Sequence, residues 1–161
     1  MRVALVVMVM VLVGLCGTAD AQSSRQGVSR CRPQSAADRA SFSNHGFLLG
    51  NVDYTRAITV VCPSLDTSVH PNGQITEILV MVQDNSEVGS FSARACRTAR
   101  QGTGHACTPW ASSGDAFTGF MELSLSPGNV WSSNDFGYLE VRIPPIDGSH
   151  VSHWMGWIAR R

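Results

Sequence analysis

Gly119-Phe-Met-Glu-Leu-Ser-Leu125 and Tyr138-Leu-Glu-Val-Arg-Ile143 decide the fold. In the first, Met121, Leu123 and Leu125 alternate with Phe120, Glu122 and Ser124; in the second, Leu139, Val141 and Ile143 alternate with Tyr138, Glu140 and Arg142. A period of two puts each apolar set on one face of a strand and each polar set on the other. Both segments are therefore half-buried strands of sheets with one wet face. Pro144-Pro145 ends the second, because proline cannot donate to a ladder.

Working outward, Ile58-Thr-Val-Val-Cys62 alternates in the same way, which turns Cys62 toward the core. Ile75 to Gln83 is apolar on both faces in its middle, Ile78, Val80 and Val82 opposing Leu79 and Met81, so it belongs at the centre of a sheet. In Ser90 to Cys96, Phe91, Ala93 and Ala95 share one face and Cys96 lies on the other. Val151 to Ala159 is strand-like without a clear phase: Trp154 and Trp157 differ in parity, so a regular strand buries only one of them. Turn residues at Pro71-Asn-Gly73, Asp84-Asn-Ser86, Gly102 to Gly104, Pro127-Gly-Asn129 and Asp147-Gly148 separate these runs. Seven or eight short strands so spaced predict an all-β domain, a small antiparallel β-sandwich of Greek-key or jelly-roll-like wiring, with a small β-barrel as the alternative.

The opening of the chain reads as a cleavable signal peptide over residues 1–21. Arg2 precedes an apolar run from Val3 to Leu15, which Ala19-Asp-Ala21 closes with a cleavage site. A run of about 13 residues is too short to span a bilayer, so the mature form is expected to have no membrane span and to be secreted or periplasmic. Residues 22–44 are polar and are expected to form a loosely ordered N-terminal arm, with residues 45–161 as the sandwich domain. Ser35 to Ala40 within the arm has room for one helical turn. Arginine supplies every side-chain cation, and cations balance acids at 12 each, so no electrostatic case exists for a nucleic-acid partner.

Beyond Cys16 in the leader, the cysteines are Cys31, Cys62, Cys96 and Cys107. An even number in an exported chain of this size reads as a disulfide framework rather than a metal or thiol site. The favoured pairing is Cys31 with Cys62 and Cys96 with Cys107, the second closing a short Gly-rich bend. Each loop contributes about 3 to 4 kcal/mol by closure entropy.

The segments Ile58-Thr-Val-Val-Cys-Pro63, Val80-Met-Val-Gln-Asp-Asn85 and Tyr138-Leu-Glu-Val-Arg-Ile-Pro-Pro145 together resemble small exported, Cys-containing bacterial β-domain proteins of unknown function. The resemblance covers most of residues 45 to 158. It implies the fold and export, and it carries no activity.

No Gly-x-Ser-x-Gly elbow is present, and no catalytic, cofactor-binding or metal site is predicted. Gly104-His-Ala-Cys107 pairs a thiol with an imidazole, but a cystine is the better reading in an oxidising compartment. His150 and His153 would point to opposite faces of a strand and could not share a metal ion. The candidate ligand-contact residues are Trp110 and Trp131, flat rings among Gly, Ser, Asn and Pro where a sugar could stack. Trp110 follows Cys107-Thr-Pro109, which restrains it; Trp131 precedes the polar Ser132 to Asp135. A non-catalytic secreted binding or surface-interaction module is the preferred function, with a glycan or other extracellular ligand as partner. A small secreted hydrolase is the alternative. Alkylation of the denatured, unreduced mature protein should label none of Cys31, Cys62, Cys96 and Cys107; a labelled thiol at any of them contradicts the two-bridge framework.

Overall fold

The computed structural model describes residues 23–64, 71–99, 104–114, 117–132 and 135–161. The signal peptide expected over 1–21 lies outside them, as do residues 102–103 and 133–134 of the expected polar turns. The N-terminal half carries β1 (Ser23–Gln26), β2 (Arg32–Pro33), the short helix α1 (Ala36–Ala40), β3 (Phe42–Asn44), β4 (Leu49–Asn51), β5 (Ile58–Pro63) and β6 (Glu77–Asp84). Then come β7 (Ser92–Ala99), β8 (His105–Cys107), β9 (Ala111–Ser112), β10 (Gly119–Leu125), β11 (Asp135–Ile143) and β12 (His153–Arg160).

These strands form two antiparallel six-stranded sheets, so the sandwich, and not the barrel, is the architecture. The first sheet runs β10-β6-β12-β4-β3, with β1 also on β12; the second runs β2-β5-β11-β7-β8, with β9 also on β7. From β4 to β7 and again from β10 to β12, successive long strands alternate between the sheets, the jelly-roll-like wiring.

Alternation decides which side chains meet between the layers. Ile78, Val80 and Val82 of β6, Ile58 and Val60 of β5, Ala93 and Ala95 of β7, and Leu139, Val141 and Ile143 of β11 are all fully buried in one apolar cluster. The two bridges pair as expected, Cys31 with Cys62 and Cys96 with Cys107. Cys62 lies in the core cluster. Cys96 and Cys107 are direct cross-strand partners on β7 and β8.

The N-terminal segment differs from the loose arm expected over 22–44. β1 pairs along the C-terminal half of β12, while β2 pairs with β5 in the other sheet. Val28 and Cys31 between them are buried, so the segment laces the two sheets together across one end. Its polarity misled because only two side chains need to be apolar when backbone ladders do the joining. Ser35 caps α1, its Oγ accepting from the Asp38 N–H at 3.0 Å. Asp38 then accepts from Arg56 at 2.8 Å, and Arg56 reaches Asp53 at 3.2 Å. Hydrogen bonds from the Thr55 N–H, the Thr55 hydroxyl and the Ser41 hydroxyl hold the Asp53 carboxyl well below its ordinary value.

The phase of β12 also differs from a regular strand. Its register against β6 shifts between Trp154 and Gly156, a bulge that inserts one residue. Both Trp154 and Trp157 are thereby buried. Gly156 permits this twice over: its φ is +143°, and a Cβ there would stand 2.6 Å from the carbonyl oxygen of Gln26 on β1. Gly156→Ala should therefore cost at least about 2 kcal/mol through strain and loss of the β1 ladder. Urea unfolding monitored by tryptophan fluorescence checks this; an unchanged midpoint would mean that the bulge and β1 are not needed.

Candidate functional site

The outer face of the second sheet is what remains when its apolar residues turn inward. Reading across by register, Arg94, Glu140 and Val61 form one row, Ser92, Arg142 and Thr59 the next, and Cys96, Tyr138 and Pro63 the row on the other side. Phe136 and Thr98 continue the face, with His105 beside Thr98. Phe136 is 65% exposed. The rings of His105 and Tyr138 lie 6.1 Å apart. Burial, and then the negative charge of Glu140, raises the Tyr138 hydroxyl above its ordinary value.

Trp110 lies against this face from the edge. Cys107 pairs with Cys96 and Ala111 with Ala93, so Thr108, Pro109 and Trp110 oppose only Ala95 and Arg94. Three residues against two make a local bulge, and bulges re-aim side chains. Thr108 pins it from both groups: its N–H donates to the Ala95 carbonyl at 2.8 Å, and its Oγ1 accepts from the Ala95 N–H at 3.1 Å. The Trp110 ring sits over the Arg94 guanidinium at 4.4 Å and within 5.3 Å of Arg142, both inside cation–π range. Arg94 in turn donates from Nε to Oε2 of Glu140 at 2.7 Å. Glu140 is nearly fully buried and Arg94 partly so, which screens the pair less than one in open solvent. Trp110 keeps 38% of its surface in solvent. A bridge, a proline, a bulge and a guanidinium thus fix a half-open aromatic ring beside a broad polar-aromatic surface.

Trp131, the second expected contact residue, is not part of this surface. It is 2% exposed and belongs to the core cluster. Its Nε1 donates to the Cys96 carbonyl at 2.7 Å, and its ring meets Trp157 edge-on at 6.5 Å. Space for it comes from Gly137 on β11, where a Cβ would lie 3.0 Å from the indole. Neighbouring Gly, Ser and Asn suggested a loop; the chain after the 3-10 turn Gly128–Val130 instead dives under β11.

Two other groupings were not anticipated from sequence. Asp84 at the end of β6 is fully buried and accepts from the Ser86 and Phe91 N–H groups at 3.1 Å each, and from the hydroxyls of Ser113 and Ser152. It ties four segments together; the next residue, Asn85, lines a cleft of about 240 Å³ with Glu87, Thr118 and His150. The turn bond to Ser86 is local, but Ser113 and Ser152 come from 29 and 68 residues away, so their convergence is not marked by any local pattern.

On the outer face of the first sheet, Ser43, Gly50, His153, Gln83 and Phe120 stand in one row. His45 Nε2 lies 2.8 Å from Ser43 Oγ. Burial, and then the neighbouring charge of His45, lowers His153, which favours its neutral form. No carboxylate orients His45 among the described residues, and a hydroxyl–imidazole contact without one lacks the third member of a hydrolytic triad. Cys96, His105 and Cys107 bring three potential ligand atoms within 4.8 Å of one another, yet the two sulfurs are bonded to each other and neither is a thiolate.

No family model matches the chain, and no curated protein does. Among solved structures, one described as the structural basis for the promiscuous specificity of the carbohydrate-binding modules from the β-sandwich superfamily superposes with a TM-score of 0.48 at 8% identity. That superposition covers 85% of this chain and 56% of the other, so the chain spans little more than half the length of that structure. A family 11 carbohydrate-binding module from Clostridium thermocellum, in complex with a β-1,3-1,4-mixed-linked tetrasaccharide, superposes with a TM-score of 0.40 at 7% identity over 90% of this chain and 91% of the other. Among the described residues no helix is long and apolar enough to cross a membrane.

The two tryptophans should separate cleanly on mutation. Trp131→Ala should lower stability by about 3 to 5 kcal/mol, the range for a lost core aromatic, whereas Trp110→Ala should cost no more than about 1 kcal/mol. Paired denaturant titrations decide this, and equal losses would place both rings in one packing role.

Proposed function

We propose that this chain is a non-catalytic, exported binding module that takes a glycan chain on the outer face of its second sheet, with Trp110 as the stacking residue. One observation carries the reading: an aromatic ring held by a bulge and a disulfide-bridged strand pair keeps 38% of its surface in solvent, on the sheet face that also carries Tyr138, Phe136 and, at its edge, His105. A ring already fixed in place loses little entropy when a ligand meets it. Sugar rings offer apolar C–H faces to an aromatic and hydroxyls to polar neighbours, and this surface supplies both kinds of partner. Two disulfides favour an oxidising compartment, in keeping with secretion or a periplasmic location and with a place among small exported bacterial β domains.

The test is retention of the mature protein on a panel of polysaccharides. Trp110→Ala should reduce retention at least about tenfold, the loss of a stacked aromatic worth on the order of 1.5 kcal/mol, with a thermal midpoint lowered by no more than about 5 °C. Phe120→Ala, on the outer face of the opposite sheet, should leave retention intact. Loss with Phe120→Ala and not with Trp110→Ala would move the site to the first sheet, and no retention of the wild type would end the glycan reading.

A further inference from the structure

We infer that the ligand of the Trp110 face carries negative charge: an acidic glycan, bearing carboxylate or sulfate groups, rather than a neutral one. This rests on the face assigned under Proposed function and specifies its substrate class. The observation is the distribution of charge. Arg32, Arg94 and Arg142 all stand at outward positions of the second sheet. Glu140, the acid described on that face, is buried and taken by Arg94, whose Nε and Nη2 both point at its Oε2. Arg94 is thereby neutralised and fixed as the support under the Trp110 ring.

Arg142 is different. It lies two residues along β11 from Glu140, on the same face, and is exposed. Its contact among the described residues is the Trp110 ring at 5.3 Å, with no carboxylate partner. Arg32, at the far edge of the same sheet, donates to the backbone carbonyls of Ser29 and Cys31 and likewise makes no ion pair. The chain as a whole is neutral, so this local excess of guanidinium comes from placement and not from composition. A sugar stacked on Trp110 would bring its ring substituents beside Arg142. A planar guanidinium there matches the oxygens of a carboxylate or sulfate in two-point hydrogen bonding, and its ring contact already restrains it. A neutral sugar would leave that charge uncompensated.

Affinity electrophoresis of the full mature protein in native gels tests this, with polygalacturonate, dextran sulfate or neutral dextran as the included polymer. Wild type should be retarded at least about fivefold more by an acidic polymer than by the neutral one. Raising salt from about 0.05 to about 0.5 M should erase most of that difference, as screening of exposed charges requires. Arg142→Gln should bring the acidic preference from at least about fivefold to below about twofold, as loss of one charge-assisted contact allows, and should keep any neutral binding; Arg142→Lys should recover part of it. Retardation by polygalacturonate alone identifies a uronate, by dextran sulfate alone a sulfate ester, and by both a general oxyanion requirement. Each supports the inference. Equal retardation by neutral dextran, or an Arg142→Gln variant that behaves as wild type, overturns it while leaving the glycan face standing. If Trp110→Ala leaves retardation by every polymer unchanged, the face itself is wrong.

Discussion

Strand alternation allows no independent choice of inner and outer residues. Burying Leu139, Val141 and Ile143 on β11 forces Tyr138, Glu140 and Arg142 to the opposite face, and burying Ala93 and Ala95 on β7 does the same for Arg94 and Cys96. The exposed surface of the second sheet is thus set by the same register that builds its core. A slip of one residue would bury Arg94 and Glu140 in the apolar layer and expose Val141. The register is held by β11 pairing with β5 and β7 at once, and by the Cys96–Cys107 bridge across β7 and β8.

The bridge and the Arg94–Glu140 pair act on Trp110 from two sides. Cross-linking β7 to β8 fixes where the bulge at Thr108 to Trp110 begins, and pairing with Ala93 at Ala111 fixes where it ends. Arg94 supplies the surface on which the indole lies. A buried ion pair is often no more stable than an apolar replacement, because desolvation offsets the attraction. Here it serves to hold one guanidinium in place beneath an aromatic ring, which an apolar pair could not do with the same electrostatic contact. The second sheet therefore presents a restrained ring and an adjacent exposed cation, Arg142, on one face.

The other bridge does a different job. Cys31 lies between β1, in the first sheet, and β2, in the second, and Cys62 is the penultimate residue of β5, in the core. Together with the Asp38–Arg56–Asp53 contacts, it converts a polar N-terminal segment into a brace across both sheets. At the opposite kind of junction, Asp84 gathers Ser86, Phe91, Ser113 and Ser152 around one buried carboxylate. Both devices join loops and strand ends with hydrogen bonds, since the apolar core covers only the faces of the strands.

Periodicity marked β5, β6, β7, β10 and β11 and their inner and outer faces, because side-chain direction in a strand depends only on counting residues, while the even number and the spacing of the cysteines favoured the two bridges that form. Reading covalent neighbours singled out Trp110 as a restrained aromatic, because Cys107 and Pro109 adjoin it in the chain. Both failed where a feature depends on residues far apart. Whether Trp131 faces solvent was settled by Gly137, six positions on, which clears the space beneath β11. Both Trp154 and Trp157 turn inward because a bulge at Gly156 changes the count, and that bulge exists where β1 from the N-terminus approaches too closely for any side chain. The pairing of Arg94 with Glu140 follows from adjacency of β7 and β11 in a sheet order that the sequence does not state. Local geometry is written in neighbouring residues; the choice of partners across sheets is made only when the whole core closes.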